Sequence, residues 1–134
     1  MMHPKFHAQT KPAKVAYCFP HSGEKVTYVE LERDSNKIAH LIRSIGLAPG
    51  EGITLLMENH PWFFKILWAA QRSGLYYTPI STQFQAREIS YVIDNADARV
   101  LFVSKKLLPK VLTTNTSECN QNFTIFNLSS PSFY

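Results

Sequence analysis

Cysteine is scarce in this chain, occurring only at positions 18 and 119 without CxxC spacing, and this usage fits a reduced, cytoplasmic protein. Glycine is scarce too: none of the five falls in a GxGxxG or GxxxxGK[ST] loop, so the usual local device for cradling phosphates is missing. Neither GxSxG nor HExxH occurs, which removes the two commonest short hydrolase signals. The most apolar window, residues 62–70, is too short to span a bilayer and is interrupted by Lys65, so no transmembrane segment is expected. Residues 1–14 have no apolar h-region, and secretion is not expected either. The fourteen Lys and Arg are interspersed with ten carboxylates rather than gathered in a block, which gives no electrostatic footprint for nucleic acid. Even the densest basic group, Lys105, Lys106 and Lys110, is read as the solvated face of a short helix.

What the chain does contain is periodic apolar sequence. Apolar residues make up 45% of its 134 residues and charged residues 18%, a balance suited to one folded unit. Residues 1–13 read as an irregular leader. Val15 to Phe19 and Lys25 to Tyr28 are short β-prone runs around a Pro20-His21-Ser22-Gly23-Glu24 loop, which predicts a small β-hairpin. Thr27 and Glu30 form a T-x-x-E capping box ahead of Leu31, Ile38, Leu41, Ile42 and Ile45, and a long amphipathic helix closing at Gly46 follows.

Beyond the Pro49-Gly50 turn, strands and helices alternate. Ile53–Met57, Tyr76–Ile80 and Val100–Val103 read as strands, with helices at Trp62–Ser73, Arg87–Asn95 and Ser104–Leu112. Near-continuous apolar strands between helices imply an α/β fold with a mostly parallel sheet covered by helices. Residues 14–113 make up this unit. The polar tail, 114–134, offers one more strand candidate at Phe123–Leu128 and three N-x-[ST] triplets, at Asn115, Asn122 and Asn127, attributed to its Ser, Thr and Asn content.

Candidate site residues are few. His3 and His7 have a spacing that a helix could turn into a metal pair, but with no third ligand nearby they are read as solvent-exposed. Trp62, Phe63, Phe64 and Trp68 read mainly as a buried helix face, with Trp62 and Phe63 as the residues that could line an apolar substrate pocket. Glu58-Asn59-His60 lies just past a strand's carboxyl end, where open α/β sheets build sites, and Asn59 is expected to cap the next helix.

Several of these segments, taken in order, resemble one superfamily. They are Lys25-Val-Thr-Tyr-Val-Glu-Leu, then Asn36, Ala39 and Leu41, then Leu47-Ala-Pro-Gly-Glu-Gly and Leu55-Leu-Met-Glu-Asn-His-Pro. Ala69-Ala, Gly74-Leu-Tyr-Tyr-Thr-Pro-Ile and the run from Glu88 to Leu101 continue the series. The whole, over about residues 14 to 104, is similar to the opening of AMP-forming acyl-CoA synthetases, peptide-synthetase adenylation domains and luciferases, with Glu51 in place of the usual Asp and Gly52 in place of a polar residue. The stretch from Tyr77 to Thr82 looks most like bacterial fatty-acid or aromatic-acid ligases.

The resemblance implies an ATP-dependent acid–thiol ligase working through an acyl-adenylate, with carboxylic acid, ATP, Mg and coenzyme A as the partners of a full-length relative. The superfamily's Ser/Thr/Gly-rich phosphate loop, Tyr-Gly-x-Thr-Glu motif, ribose-binding Asp and C-terminal Lys have no counterpart in these residues. The chain is therefore expected to be a truncated N-terminal part, inactive alone, with no catalytic, cofactor-binding or metal residue assigned to it. The remaining part of a split ligase would be its partner. The alternative expectation is a non-catalytic protein-interaction module derived from the same fold.

Overall fold

The computed structural model describes residues 3–112 and 123–128. A short helix, α1 (Pro4–Thr10), precedes an antiparallel hairpin of β1 (Val15–Phe19) and β2 (Glu24–Thr27). The long helix α2 (Tyr28–Ser44) leads to β3 (Gly52–Leu56), α3 (Trp62–Arg72), β4 (Tyr76–Pro79), α4 (Ala86–Asn95), β5 (Ala98–Val103), α5 (Leu108–Leu112) and β6 (Thr124–Asn127). The four later strands form one wholly parallel sheet in the order β4-β3-β5-β6, as the alternating pattern predicts.

Side-chain alternation along the two central strands divides the core. Ile53, Leu55, Met57, Val100 and Phe102 pack with α2 and α3 residues such as Ile38, Ile42 and Ile66. Leu56, Leu101 and Val103 pack on the other face with Ile89 and Ile93 of α4 and Val111 of α5. Each strand is therefore buried on both sides, which is why β3 and β5 read as unbroken apolar runs rather than alternating ones. A fully buried Ile or Leu in these layers contributes roughly 1.5–3 kcal/mol. The one polar member of β3, Thr54, keeps its hydroxyl satisfied by donating to the Val100 carbonyl at 3.0 Å.

The predicted local signals are present. Thr27 Oγ1 accepts from Glu30 N at 3.3 Å and the Glu30 carboxylate accepts from Thr27 N at 2.9 Å, so the capping box starts α2. Gly46, at φ 88°, reverses the chain after α2 in the left-handed region where a Cβ is costly.

Four expectations are corrected. The leader is not irregular: Pro4 fits the first helical turn because its missing N–H would be unpaired there anyway, His3 Nδ1 accepts from Lys5 N at 3.1 Å, and α1 packs on α2 with Pro4 buried. Asn59 does not cap α3 and is exposed; His60 Nδ1 takes the Trp62 N–H at 3.2 Å instead. The last helix starts at Leu108 rather than Ser104, with residues 105–107 in a turn. Pro109 explains this, since inside a longer helix it would remove a backbone bond and crowd the preceding turn. Lys110 is not a solvated charge: its ammonium donates to the Thr82 and Phe84 carbonyls at 2.8 and 3.2 Å, tying α5 to the loop before α4.

The helix layer on the α2 side is locked by ions. Lys65 of α3 meets Asp34 of α2 at 2.8 Å, with Lys65 only 8% and Asp34 3% exposed. Arg72 reaches across to Glu32 in a two-pronged pair at 2.7 and 3.2 Å and also donates to Asn36. Cys18 is exposed on β1, while Cys119 and the Asn115 and Asn122 triplets lie outside the described residues.

Candidate functional site

In an open parallel sheet, a crevice forms at the carboxyl ends of two neighbouring strands whose connections leave in opposite directions. Here the chain goes from β3 to β4 on one side, then crosses to β5 on the other side of β3. The switch point therefore lies between the carboxyl ends of β3 and β5, where Met57-Glu58-Asn59-His60 and Ser104 follow the strands.

Ser104, 1% exposed, donates its hydroxyl to Glu58 Oε2 at 2.5 Å. The bond joins the ends of the two strands across the switch point and fixes one carboxylate oxygen, leaving the other available as an acceptor. His60 uses Nδ1 to accept the Trp62 backbone N–H, which places the proton of the neutral ring on Nε2. Burial lowers the His60 pKa below its ordinary value, an effect opposed by the nearby Glu58 and Glu24 carboxylates and reinforced by Lys65. The imidazole is thus held neutral, as an N–H donor.

A cavity of about 160 Å³ opens beside these groups, walled by Phe19, Met57, Phe63 and Phe64, with Glu58, Asn59 and His60 at its polar end. Phe63 lines this cavity. Trp62 does not line this cavity: it belongs to the buried core, with the Lys65 ammonium 4.5 Å from its ring centroid. Phe64, on the helix face expected to be buried, is 43% exposed and borders this cavity and a second one on the hairpin side.

His3 and His7 are not solvent-exposed, and they engage rings rather than a metal. His3 meets Trp68 edge-on at 5.0 Å between centroids, and His7 lies over Tyr28 at 4.9 Å. Among the described residues no group of three or more His, Cys, Asp or Glu side chains could hold a metal ion.

The crevice does not fit ATP. Its volume is below the ~300 Å³ at which ligand pockets usually begin, its lining among the described residues includes no Lys or Arg, and Glu58 would repel phosphate. Sequence reasoning placed Glu58 and His60 correctly after a strand but gave no sign of the Ser104 contact. Its only trace is that Glu58 and Ser104 each follow an apolar run of strand length.

At the opposite end of the sheet, Glu51 fixes the backbone. Its carboxylate accepts from Ala48 N and from Arg99 Nη1, each at 2.7 Å, and the Arg99 bond followed by the Ala48 bond lowers its pKa. Gly52 is small for a geometric reason: a Cβ there would stand 3.2 Å from the Ala96 carbonyl oxygen.

The family model described as AMP-binding enzyme matches residues 5–130. The chain belongs to this family. A fatty acid–acyl-carrier-protein ligase of Streptomyces coeruleorubidus is 33% identical to this AMP-binding family member over 106 residues, covering 79% of this chain and 20% of the ligase. A long-chain-fatty-acid–CoA ligase of Mycobacterium tuberculosis is 26% identical over 104 residues, covering 78% of this chain and 21% of that protein. The chain thus spans about a fifth of the length of these relatives. Among solved structures, the N-terminal domain of Mycobacterium tuberculosis FACL13 superposes with a TM-score of 0.87 at 21% identity, over 97% of this chain and 34% of that one. The anthranilate CoA ligase AuaEII superposes with a TM-score of 0.85 at 18% identity, over 94% of this chain and 24% of that one. These structural likenesses establish the parallel α/β fold.

Proposed function

We propose that this family member serves as the N-terminal part of an ATP-dependent ligase that activates a carboxylic or fatty acid through an acyl-adenylate. The observation that carries the reading is the 33% identity to a fatty acid–acyl-carrier-protein ligase over most of the chain. ATP, Mg and the acceptor thiol, such as that of coenzyme A, are then substrates of a complete enzyme, with the cytoplasm as its location. No described helix is long and apolar enough to cross a membrane.

The part played by these residues is to build and hold one wall of the enzyme. Adenylation needs positioned donors that stabilise charge on the transferring phosphorus. The switch-point crevice, with no Lys or Arg in its lining among the described residues, leaves that work to other residues, so the chain is inactive alone. Phe63, with Met57, supplies apolar surface beside Glu58 and His60, and no catalytic role is assigned to any of them.

The test is ATP–pyrophosphate exchange with a panel of fatty and aromatic acids, run on this chain alone and on a mixture with a homologous ligase lacking its corresponding first fifth. Exchange only in the mixture supports the reading. Exchange by the purified chain alone, or a mixture no better than the shortened ligase, overturns it.

A second reading, a non-catalytic interaction module, is favoured by a groove of about 400 Å³ at Phe84, Arg87, Glu88, Tyr91 and Val92, where Tyr91 is 69% exposed. Size-exclusion chromatography with light scattering decides this point. A monomer that binds no apolar dye counts against it.

A further inference from the structure

The larger of the two cavities that meet at Phe64 lies between α1, the hairpin, α2 and α3, and has a volume of about 380 Å³. That is within the ~300–1,000 Å³ usual for small-molecule sites. Its walls are dominated by rings: His7, Tyr17, Tyr28, Phe64 and Trp68. We propose that this cavity is a binding site for an uncharged planar aromatic molecule, distinct from the crevice at the strand ends.

The rings are anchored so that they do not collapse into the space. The Tyr17 hydroxyl donates to the Pro61 carbonyl at 2.6 Å, fastening the hairpin to the start of α3 and fixing the ring as a wall. Trp68 is held by the His3 edge at 5.0 Å, and His7 by Tyr28 at 4.9 Å. The α1 side is fixed as well, because Pro12 and Lys14 offer their carbonyls to Val29 N and Tyr28 N at 3.2 and 3.0 Å. A cavity whose walls are already ordered lets a ligand bind without the cost of ordering them.

Each nearby carboxylate of α2 already has a partner: Asp34 has Lys65, Glu32 has Arg72, and Glu30 has the Thr27 N–H. Among the described residues, none of these three α2 carboxylates is left unpaired to anchor a cationic ligand. Burial, followed by the fields of Asp34, Glu24 and Glu30, raises the Tyr17 pKa, and the same negative field disfavours an anion beside the ring. Ring faces reward a flat aromatic surface through offset and edge-on contacts that a saturated ring cannot make. The expected ligand is therefore aromatic and neutral.

The test is a titration of the full chain with 2-naphthol, followed through backbone amide resonances, with cyclohexanol as the saturated control. Saturable shifts centred on Ala16, Tyr28 and Leu31, with cyclohexanol at least about tenfold weaker, support the site. Ala16→Leu, which fills the cavity from a half-exposed wall position, is expected to weaken 2-naphthol about tenfold while the amide spectrum stays folded. Phe64→Leu keeps apolar bulk at an exposed position but removes a ring face. It is expected to cut affinity severalfold, and it decides the matter should Ala16→Leu fail to fold. Shifts that do not saturate, shifts centred on Phe84 and Tyr91, cyclohexanol binding equal to 2-naphthol, or affinity unchanged in the decisive variant would each overturn the proposal.

Discussion

Removing Asp34 should cost more than removing Lys65, although the two form one ion pair at 2.8 Å. Asp34→Ala leaves the Lys65 ammonium, 8% exposed, with the Trp62 ring at 4.5 Å as its remaining partner among the described residues. Breaking a buried pair in this way costs about 3–5 kcal/mol, and a cation–π contact returns only about 0.5–2 kcal/mol of it. Lys65→Met leaves the Asp34 carboxylate buried, but Arg33 Nε remains 3.1 Å from it and Arg33 reaches solvent. Its cost should be nearer about 1–3 kcal/mol, the penalty for a partly satisfied buried acceptor.

Urea unfolding measured at constant slope gives both numbers from the midpoint shift. Against a typical domain stability of about 5–15 kcal/mol, the Asp34→Ala loss should be large enough to read directly from the midpoint. The double variant Asp34→Ala/Lys65→Met should recover part of that loss, since no buried charge remains. An Asp34→Ala cost below about 1 kcal/mol would mean that the ammonium escapes to water, as an exposed pair would allow. An inverted order of the two single variants would equally refute the reasoning.

The same pair sets an acid limit. Burial alone would raise the Asp34 pKa, but hydrogen bonds from Lys65 and Arg33 outweigh it and hold the carboxyl below its ordinary 3.8. A depressed folded pKa contributes stability that is present above 3.8 and is lost as pH falls through the folded value. The acid limb of the urea midpoint should therefore be shallower in the double variant.

Three further outcomes are expected. Ser104→Ala leaves a half-buried Glu58 oxygen without its donor and should cost about 1–3 kcal/mol by urea unfolding, with Ser104→Thr retaining most of the stability. Gly74→Ala meets φ 71° and places a Cβ 3.2 Å from Pro49 Cβ; about 1–2 kcal/mol should be lost in the same assay. His60 should titrate below 6.5 by NMR, because burial disfavours its charged form. The unfolded chain then takes the proton first, so stability from this group is complete above 6.5 and declines as pH falls toward the folded value. A His60 midpoint above 6.5 would contradict the buried, neutral assignment.

The sheet was legible because its two central strands, β3 and β5, are short and buried on both faces, a pattern that flanking helices produce. The runs Ile53–Met57 and Val100–Val103 lie where expected, with boundaries shifted by one or two residues. What could not be read is what depends on distant partners. Helix α1 has little apolar content of its own, and its stability comes from seating Pro4 on α2 and His3 against Trp68. Lys65 in sequence is a lone charge in an apolar stretch; only the α2–α3 crossing brings Asp34 to it. The crevice was half legible: a position after a strand can be read locally, but the Ser104–Glu58 contact joins residues 46 apart in sequence.

The residues that carry the likeness to the family are joints rather than reactive groups. Thr27 and Glu30 start α2, Asn36 accepts from Arg72, Glu51 grips Ala48 N and Arg99, and Gly74 turns the chain under Pro49. Each ties one element of the fold to the next. Contacts of this kind fit a fold that this chain shares with solved structures only 18–21% identical to it. Substitutions at the joints should therefore register first in stability, and those at Phe63 first in ligand preference of the assembled enzyme.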